Sequence, residues 1–469
     1  MTLPRTLGEL KASGYRSRSV KMEMRENLVR KLNHQEPLFP GIVGYEHTVI
    51  PQVIHAILAC HDVIFLGLRG QAKSRMIRML PDLLDESLPI IAGSEINDDP
   101  FRPISQMARA LVADRGDDTP IVWIPRDRRY KEKLATPDVT IADLIGDVDP
   151  IKAARRQLDL ADEEAIHFGL VPRSNRGIFA INELPDLSPK IQVGLFNIMQ
   201  ERDIQIRGYT IRLPLDVFLV YSANPQDYTN RGRIVTPLKD RIGSEIRTHY
   251  PLTRDEGMQI TDQEVRFPSS NGIRCVVPGF MKKIVEETAR AARESKDVES
   301  ASGVSARFSI TCMENLVSSA ERRALMNRES VACPRADDLL SMIPSMTGKI
   351  ELSYAGEERG ADQVSRRLIR QAVSVVFLEY FGHDDCQSTI DWFHEPNQSF
   401  VLTDDMPAGE IIVRAERVKG LMGRVRAYLK DDEIQVPEVL ASGVEFMLEG
   451  LYAQKKLSKT ELQGLVTYG

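Results

Sequence analysis

Cysteine is scarce in this 469-residue chain: Cys60, Cys275, Cys312, Cys333 and Cys386 are odd in number, far apart and form no CxxC pair. That pattern argues against a disulfide framework and against a zinc module. No apolar run approaches the ~18 to 20 residues that cross a bilayer, and the opening stretch MTLPRTLGELKASGYRSRSVK lacks the apolar centre of a signal peptide. The expectation is a soluble chain in a reducing cytoplasm. Neither sign of charge is in excess, since 61 Lys and Arg against 67 Asp and Glu leave a formal charge of −6. This balance gives no reason to expect a sequence-independent grip on nucleic-acid phosphates. At roughly 150 residues per domain the length suits about three domains.

What is present has a clear order. Residues 1–35 read as a polar amino-terminal extension, with a basic run (Arg16, Arg18, Lys21, Arg25, Arg30) that fits the solvated face of a helix; a partner-binding arm is the rival reading. From Phe39, short apolar runs alternate with helical patterns: VIFLG from Val63, IVWIP from Ile121, IFAIN from Ile178 and VFLVYS from Val217. Such alternation predicts an α/β fold, a parallel sheet wrapped by helices, over residues 36–255. Beyond about Leu252 strand signals fade. Helical spacing over Phe280 to Glu294 and Phe308 to Arg323 marks residues 256–350 as a helical domain, and 351–469 reads as a further, mainly helical region.

The run VIFL is followed by Gly67-Leu68-Arg69-Gly70-Gln71-Ala72-Lys73-Ser74 and then by a helical pattern. Strand, loop and helix in that order make a phosphate cradle: backbone N–H groups and a helix start face anionic oxygens, and a lysine reaches the outer phosphates. Ser74 is the expected hydroxyl ligand of Mg²⁺. Ala72 stands where the general motif has glycine, and the expectation is that its methyl group is tolerated at negative φ.

A second buried run ends in Asn182-Glu183. A carboxylate at the end of a strand beside the phosphate loop can orient and polarise an attacking water, so Glu183 is the candidate catalytic base. An aspartate usually precedes it to hold the metal shell. Here Asn182 takes that place, with one charge fewer but with an amide oxygen able to accept from a metal-bound water.

With these motifs the chain resembles the AAA+ ATPases, and more narrowly the group of magnesium-chelatase subunit I and the MoxR-type ATPases. Asn175-Arg176-Gly177-Ile178-Phe179 through Asn182-Glu183 resembles the chelatase segment. Leu195 to Arg202, followed by Ile204 to Gly208 and Leu213-Pro214, resembles the MoxR stretch running from a helix into a hairpin. The resemblance covers roughly Phe39 to Met326. It implies a P-loop AAA+ sheet with a helical lid over 256–350, ATP and Mg²⁺ as ligands, and ATP hydrolysis. It assigns Ile42, Val43 and Gly44 to the adenine side, Asn224 to the sensor that shares the attacking water, Arg241 to the finger offered to a neighbouring subunit and Arg307 to the sensor of the lid. Ala135 to Asp147 corresponds to the helix-2 insert, and Asp203 to Arg212 to the hairpin ahead of the sensor. The resemblance further implies a homo-oligomeric ring, a hexamer, that remodels a partner with a von Willebrand A domain in metal insertion or complex maturation. A non-hydrolysing nucleotide-sensing scaffold and a genuine magnesium–porphyrin chelatase subunit are the alternatives. A σ54-dependent activator is disfavoured, because no GAFTGA-like loop occurs.

Two further clusters have plainer readings. His383, Asp384, Asp385, Cys386 and His394 offer metal-type ligands, but Gly382 and Pro396 around them suggest a polar loop. Trp123 to Lys131 mixes aromatic and basic residues and reads as a strand end and solvated loop rather than a nucleic-acid contact.

Overall fold

Val63–Leu66, Gly177–Asn182 and Val217–Ala223 bury every residue, as interior strands of a parallel sheet must when helices cover both faces. In the computed structural model, which describes residues 3–156, 162–200, 213–225, 234–267, 272–299, 302–384, 386–429, 435–462 and 464–469, these form the middle of a five-stranded sheet. Its strands are β1 (Val63–Leu66), β2 (Tyr130–Leu134), β3 (Gly177–Asn182), β4 (Val217–Ala223) and β5 (Ser244–Arg247). The spatial order is β2-β3-β4-β1-β5, and every pair is parallel. The chain divides into two compact units, Met1–His249 and Tyr250–Gly469, and the sheet belongs to the first.

The edge strands differ from the sequence expectation. Ile121–Pro125 is a strand, but it pairs antiparallel with Ser87–Ile91 outside the central sheet, and it buries Ile121 and Ile124 while Val122 is exposed. The central edge position is taken by the polar run Tyr130–Leu134, which is only half-buried because one side of an edge strand meets no neighbour. The amino-terminal segment also differs. Helix Val20–Asn33 buries Val20, Met24 and Leu28 in the core of the first unit. Within its basic run, Lys21 is buried and pairs with Asp62 at 2.8 Å, so this part of the helix is not a solvated face. In the basic loop after Trp123, Asp127 and Arg128 are exposed as expected, but Arg129 is not. Arg129 is fully buried, giving its two terminal nitrogens to the Glu23 carboxylate at 2.7 and 2.6 Å and its Nε to the Arg176 carbonyl.

The second unit is mainly helical, with helices Gly279–Glu294, Ala306–Asn327, Ala361–Phe381 and Pro437–Ala453, and a small antiparallel sheet of Phe400–Thr403, Lys459–Leu462 and Leu465–Tyr468. The stretch Ile411 to Leu429 is two helices, Ala408–Ala415 and Leu421–Tyr428, because Gly420 adopts φ 80° between them. One hydrophobic core runs through the whole unit and includes Phe280, Phe308, Phe377, Phe446 and Tyr468. The rings of Phe280 and Phe446 stack at 4.6 Å. Within this unit lies a buried charge cluster: Arg323 donates to Asp338 at 2.7 Å, while Arg335 lies 3.9 Å from both Glu329 and Glu445.

Candidate functional site

Parallel register brings the carboxyl ends of β1, β3 and β4 to one edge: Leu66 lies beside Ala223, and Ile181 beside Tyr221. The next residues of the three strands, Gly67, Asn182-Glu183 and Asn224, therefore share that edge, where open α/β sheets hold their ligands.

The loop between β1 and the helix Lys73–Met79 is tightly made. The Gly67 N–H donates to the Ala223 carbonyl at 3.2 Å, tying loop to sheet. Thr248 gives its hydroxyl to the Gln71 side-chain oxygen at 2.8 Å and its N–H to the Leu66 carbonyl at 2.8 Å. A methyl group on Gly67 would fall on that Thr248 hydroxyl and on the Gln71 carboxamide oxygen, so any larger residue must push both side chains aside. The Tyr45 hydroxyl donates to the Gln71 carbonyl at 2.9 Å, which brings the Ile42-Val43-Gly44 segment beside the loop. Gly44 turns the chain there at φ 80°.

Ala72 is left-handed, with φ 54° and ψ 12°. The expectation of negative φ is thus corrected: the loop takes the glycine-type conformation although a methyl group is present, at a strain of about 1 kcal/mol. Lys73 is buried, and its ammonium donates to the carbonyl oxygens of Gly67 and of Leu68, the latter at 3.0 Å. The lysine thereby lies along the inside of the loop that would cradle phosphate. Ser74 is half-buried in the first turn of the helix.

At the end of β3, Glu183 is also left-handed, with φ 55° and ψ 50°. Its N–H donates to the Ser222 hydroxyl at 3.2 Å, and that hydroxyl donates to the Asn182 side-chain oxygen at 3.0 Å. The Asn182 NH₂ group donates to Glu132 on β2. Glu132 also receives both Nε and Nη2 of Arg78 at 2.9 Å and the Tyr130 hydroxyl at 3.0 Å. The Arg78 guanidinium, with these other donors, holds the Glu132 carboxyl below the usual range. Sequence reasoning missed Glu132, Ser222 and Thr248.

Asn224 is buried just past β4. Arg241 is the last residue of the short helix Thr236–Arg241, with Nη1 donating to the Pro237 carbonyl at 2.8 Å. Arg307 is exposed in the first turn of helix Ala306–Asn327 and belongs to the second unit. In the insert, Thr140 caps the helix Ile141–Leu144 and Gly146–Val148 pairs with Ile166–Phe168. The hairpin expected over Asp203 to Arg212 lies outside the described residues.

Ser74 offers a hydroxyl oxygen and Asn182 an amide oxygen with the Glu132 carboxylate behind it, donors that suit a hard cation such as Mg²⁺ rather than a thiophilic metal. Among the described residues no group of three or more His, Cys, Asp or Glu side chains could hold a metal. Asp384 of the His/Asp/Cys loop is instead paired with Arg424 at 2.6 Å. Among the described residues no helix is long and apolar enough to cross a membrane.

Comparison with known proteins agrees with the motifs. No family model matches the chain. It is 27% identical over 267 residues to the magnesium-chelatase subunit ChlI of Nostoc sp., covering 56% of this chain and 65% of the relative. To the chloroplastic subunit ChlI-1 of Arabidopsis thaliana it is 24% identical over 339 residues, 68% of this chain and 76% of the relative. The match to the Guillardia theta subunit reaches 28% over 245 residues, with 63% of that relative covered. The chain thus spans about two thirds of the length of these relatives. Among solved structures, it is similar to a chain of the BchI–BchD complex of magnesium chelatase, with a TM-score of 0.35, 20% identity and coverage of 68% of this chain and 98% of that one. RuvB of Thermotoga maritima gives a TM-score of 0.38, 10% identity and coverage of 74% and 80%. The relatives to which the chain is similar are thus named as magnesium-chelatase subunits.

Proposed function

We propose that the chain is an ATP-hydrolysing AAA+ subunit acting in a homo-oligomeric ring, a hexamer. The observation that carries this is the shared edge of β1, β3 and β4, where the strand–loop–helix around Lys73 is bordered by Asn182, Glu183 and Asn224. The loop N–H groups and Lys73 bind the triphosphate, with Lys73 leaving the carbonyls of Gly67 and Leu68 for the anion. Ile42, Val43 and Gly44 take the adenine side. Ser74 and Asn182 would hold Mg²⁺, which when bound neutralises charge on the phosphate oxygens. Glu183 orients the attacking water and takes its proton, and Asn224 fixes the same water from the next strand. Arg241 of one subunit faces the site of its neighbour, and Arg307 answers the nucleotide from the helical lid; a planar guanidinium suits charge spread over phosphate oxygens.

The ring's output is motion of the insert loops against a partner. From the resemblance read in the sequence, the partner we propose is a protein with a von Willebrand A domain, in metal insertion or in complex maturation of the MoxR kind. A nucleotide-sensing scaffold is the second reading, favoured by the neutral Asn182 at the metal edge. Steady-state ATP turnover at ring-forming protein concentration decides between them. Turnover that vanishes in Glu183→Gln while nucleotide binding persists supports the motor; no turnover in an assembled wild-type ring supports the scaffold.

A further inference from the structure

We infer that Glu132 is a positioning residue that fixes the amide of Asn182, so that Asn182 and Glu132 together replace the single carboxylate expected at the magnesium edge. The inference rests on the nucleotide reading above. Glu132 does not hold the metal itself, because its four acceptor directions are already taken by two nitrogens of Arg78, the Tyr130 hydroxyl and the Asn182 NH₂ group. It acts through what it imposes on its neighbour.

An ionised carboxylate only accepts, so the side of Asn182 that meets Glu132 must be its NH₂ group. The amide oxygen is then turned the other way. One of its lone pairs accepts the Ser222 hydroxyl at 3.0 Å, and the second stays available for a metal-bound water. Because the single Ser222 proton is spent on Asn182, the serine oxygen receives the Glu183 N–H at 3.2 Å. The donations from the Glu183 backbone through Ser222 and Asn182 therefore all run toward Glu132, which Arg78 meets from the other side. The relay ends on the residue held at φ 55°, the candidate base. Its other end is placed as well. Arg78 stands four residues after Ser74 on the helix Lys73–Met79, so the two share a face one turn apart. The charge missing from Asn182 is thus kept one strand away, at an address fixed by the phosphate-loop helix.

The test measures binding of a fluorescent, non-hydrolysable ATP analogue to the full chain while Mg²⁺ is titrated, alongside binding in EDTA. Glu132→Gln supplies an NH₂ group as well as an oxygen, so it frees the Asn182 amide to turn. The expected result is a rise of about tenfold in the Mg²⁺ concentration for half-maximal binding, with metal-free binding unchanged. Asn182→Asp alone sets two carboxylates against each other and weakens Mg²⁺ dependence similarly. The exchange Asn182→Asp with Glu132→Gln restores donor and acceptor in reversed order and is expected to return within about threefold of wild type. A purely structural Glu132 would show no such reciprocal rescue. If Glu132→Gln does not fold, Ser222→Ala cuts the same relay and carries the same expectation. A wild-type chain that binds analogue while Glu132→Gln or Ser222→Ala leaves its Mg²⁺ dependence unchanged overturns the relay alone. A wild-type chain that binds no nucleotide, with or without Mg²⁺, overturns the nucleotide reading and the relay with it.

Discussion

Glu23 and Arg129, 106 positions apart in sequence, meet at 2.6 Å with neither side chain open to solvent, and this pair fastens helix Val20–Asn33 to the entrance of β2. Removing one partner strands the other as a buried charge, at a typical cost of about 3 to 5 kcal/mol. Glu23→Ala is therefore expected to lower the first unfolding transition steeply, whereas Glu23→Leu with Arg129→Met is expected to recover much of the loss. Urea unfolding of the two variants checks this. Equal losses in both would show that the charge pair is not what anchors the helix.

Ala72 gives a prediction of the opposite sign. Glycine reaches φ 54° without a Cβ penalty, so Ala72→Gly is expected to keep nucleotide binding and to stabilise the first unit by up to about 1 kcal/mol, less the extra freedom of the unfolded chain. A clear fall in thermal stability would contradict the left-handed assignment.

Gly67→Ala tests the loop from its other end. The new methyl group displaces the Thr248 hydroxyl and the Gln71 carboxamide, and nucleotide affinity is expected to fall at least tenfold while β1 itself still folds. Calorimetric titration with nucleotide, paired with circular dichroism, separates the two effects.

If sites form between subunits, two inactive variants should complement each other. Glu183→Gln lacks the base but retains Arg241, and Arg241→Ala lacks the finger but retains Glu183. Mixing them is expected to restore a fraction of ATP turnover that peaks near equal ratio. A mixture as inactive as its parts would remove Arg241 from the neighbouring site.

In the second unit, burial first, then Glu445 and Asp404, raise the Asp337 carboxyl to about 7, against an ordinary 3.8. Between those values the folded chain holds a proton that the unfolded chain has released, so stability falls as pH rises from about 4 to 7 and is level above. Arg323, Arg335, Lys459 and Tyr468 line the same place, and the Asp338 charge acts on it too. Asp337→Asn is expected to flatten the slope of the unfolding temperature across that range. A slope identical to wild type would assign the dependence to other groups.

How much of this was legible follows from what each segment buries. The three interior strands were readable because they are apolar runs, broken only near their carboxyl ends by Asn182 and Ser222, and the motifs around Lys73 and Glu183 lie at the ends of two of them. The edge strands Tyr130–Leu134 and Ser244–Arg247 were hidden by their polarity, and Ile121–Pro125 looked like a sheet strand because its apolar content says nothing about which partner it takes. Glu132 could not be found from spacing, since its role depends on an edge strand that the sequence did not reveal. The burial of Lys21 and Arg129 was equally hidden, because a buried pair reads as two ordinary charges until their partners are known.

The Phe280 and Phe446 rings sit face to face in a core that also takes in Tyr468, so the helices assigned to the nucleotide lid have no seam dividing them from the carboxyl-terminal stretch. A helix Gly279–Glu294 that moved would therefore carry with it the small antiparallel sheet formed almost at the far end of the sequence.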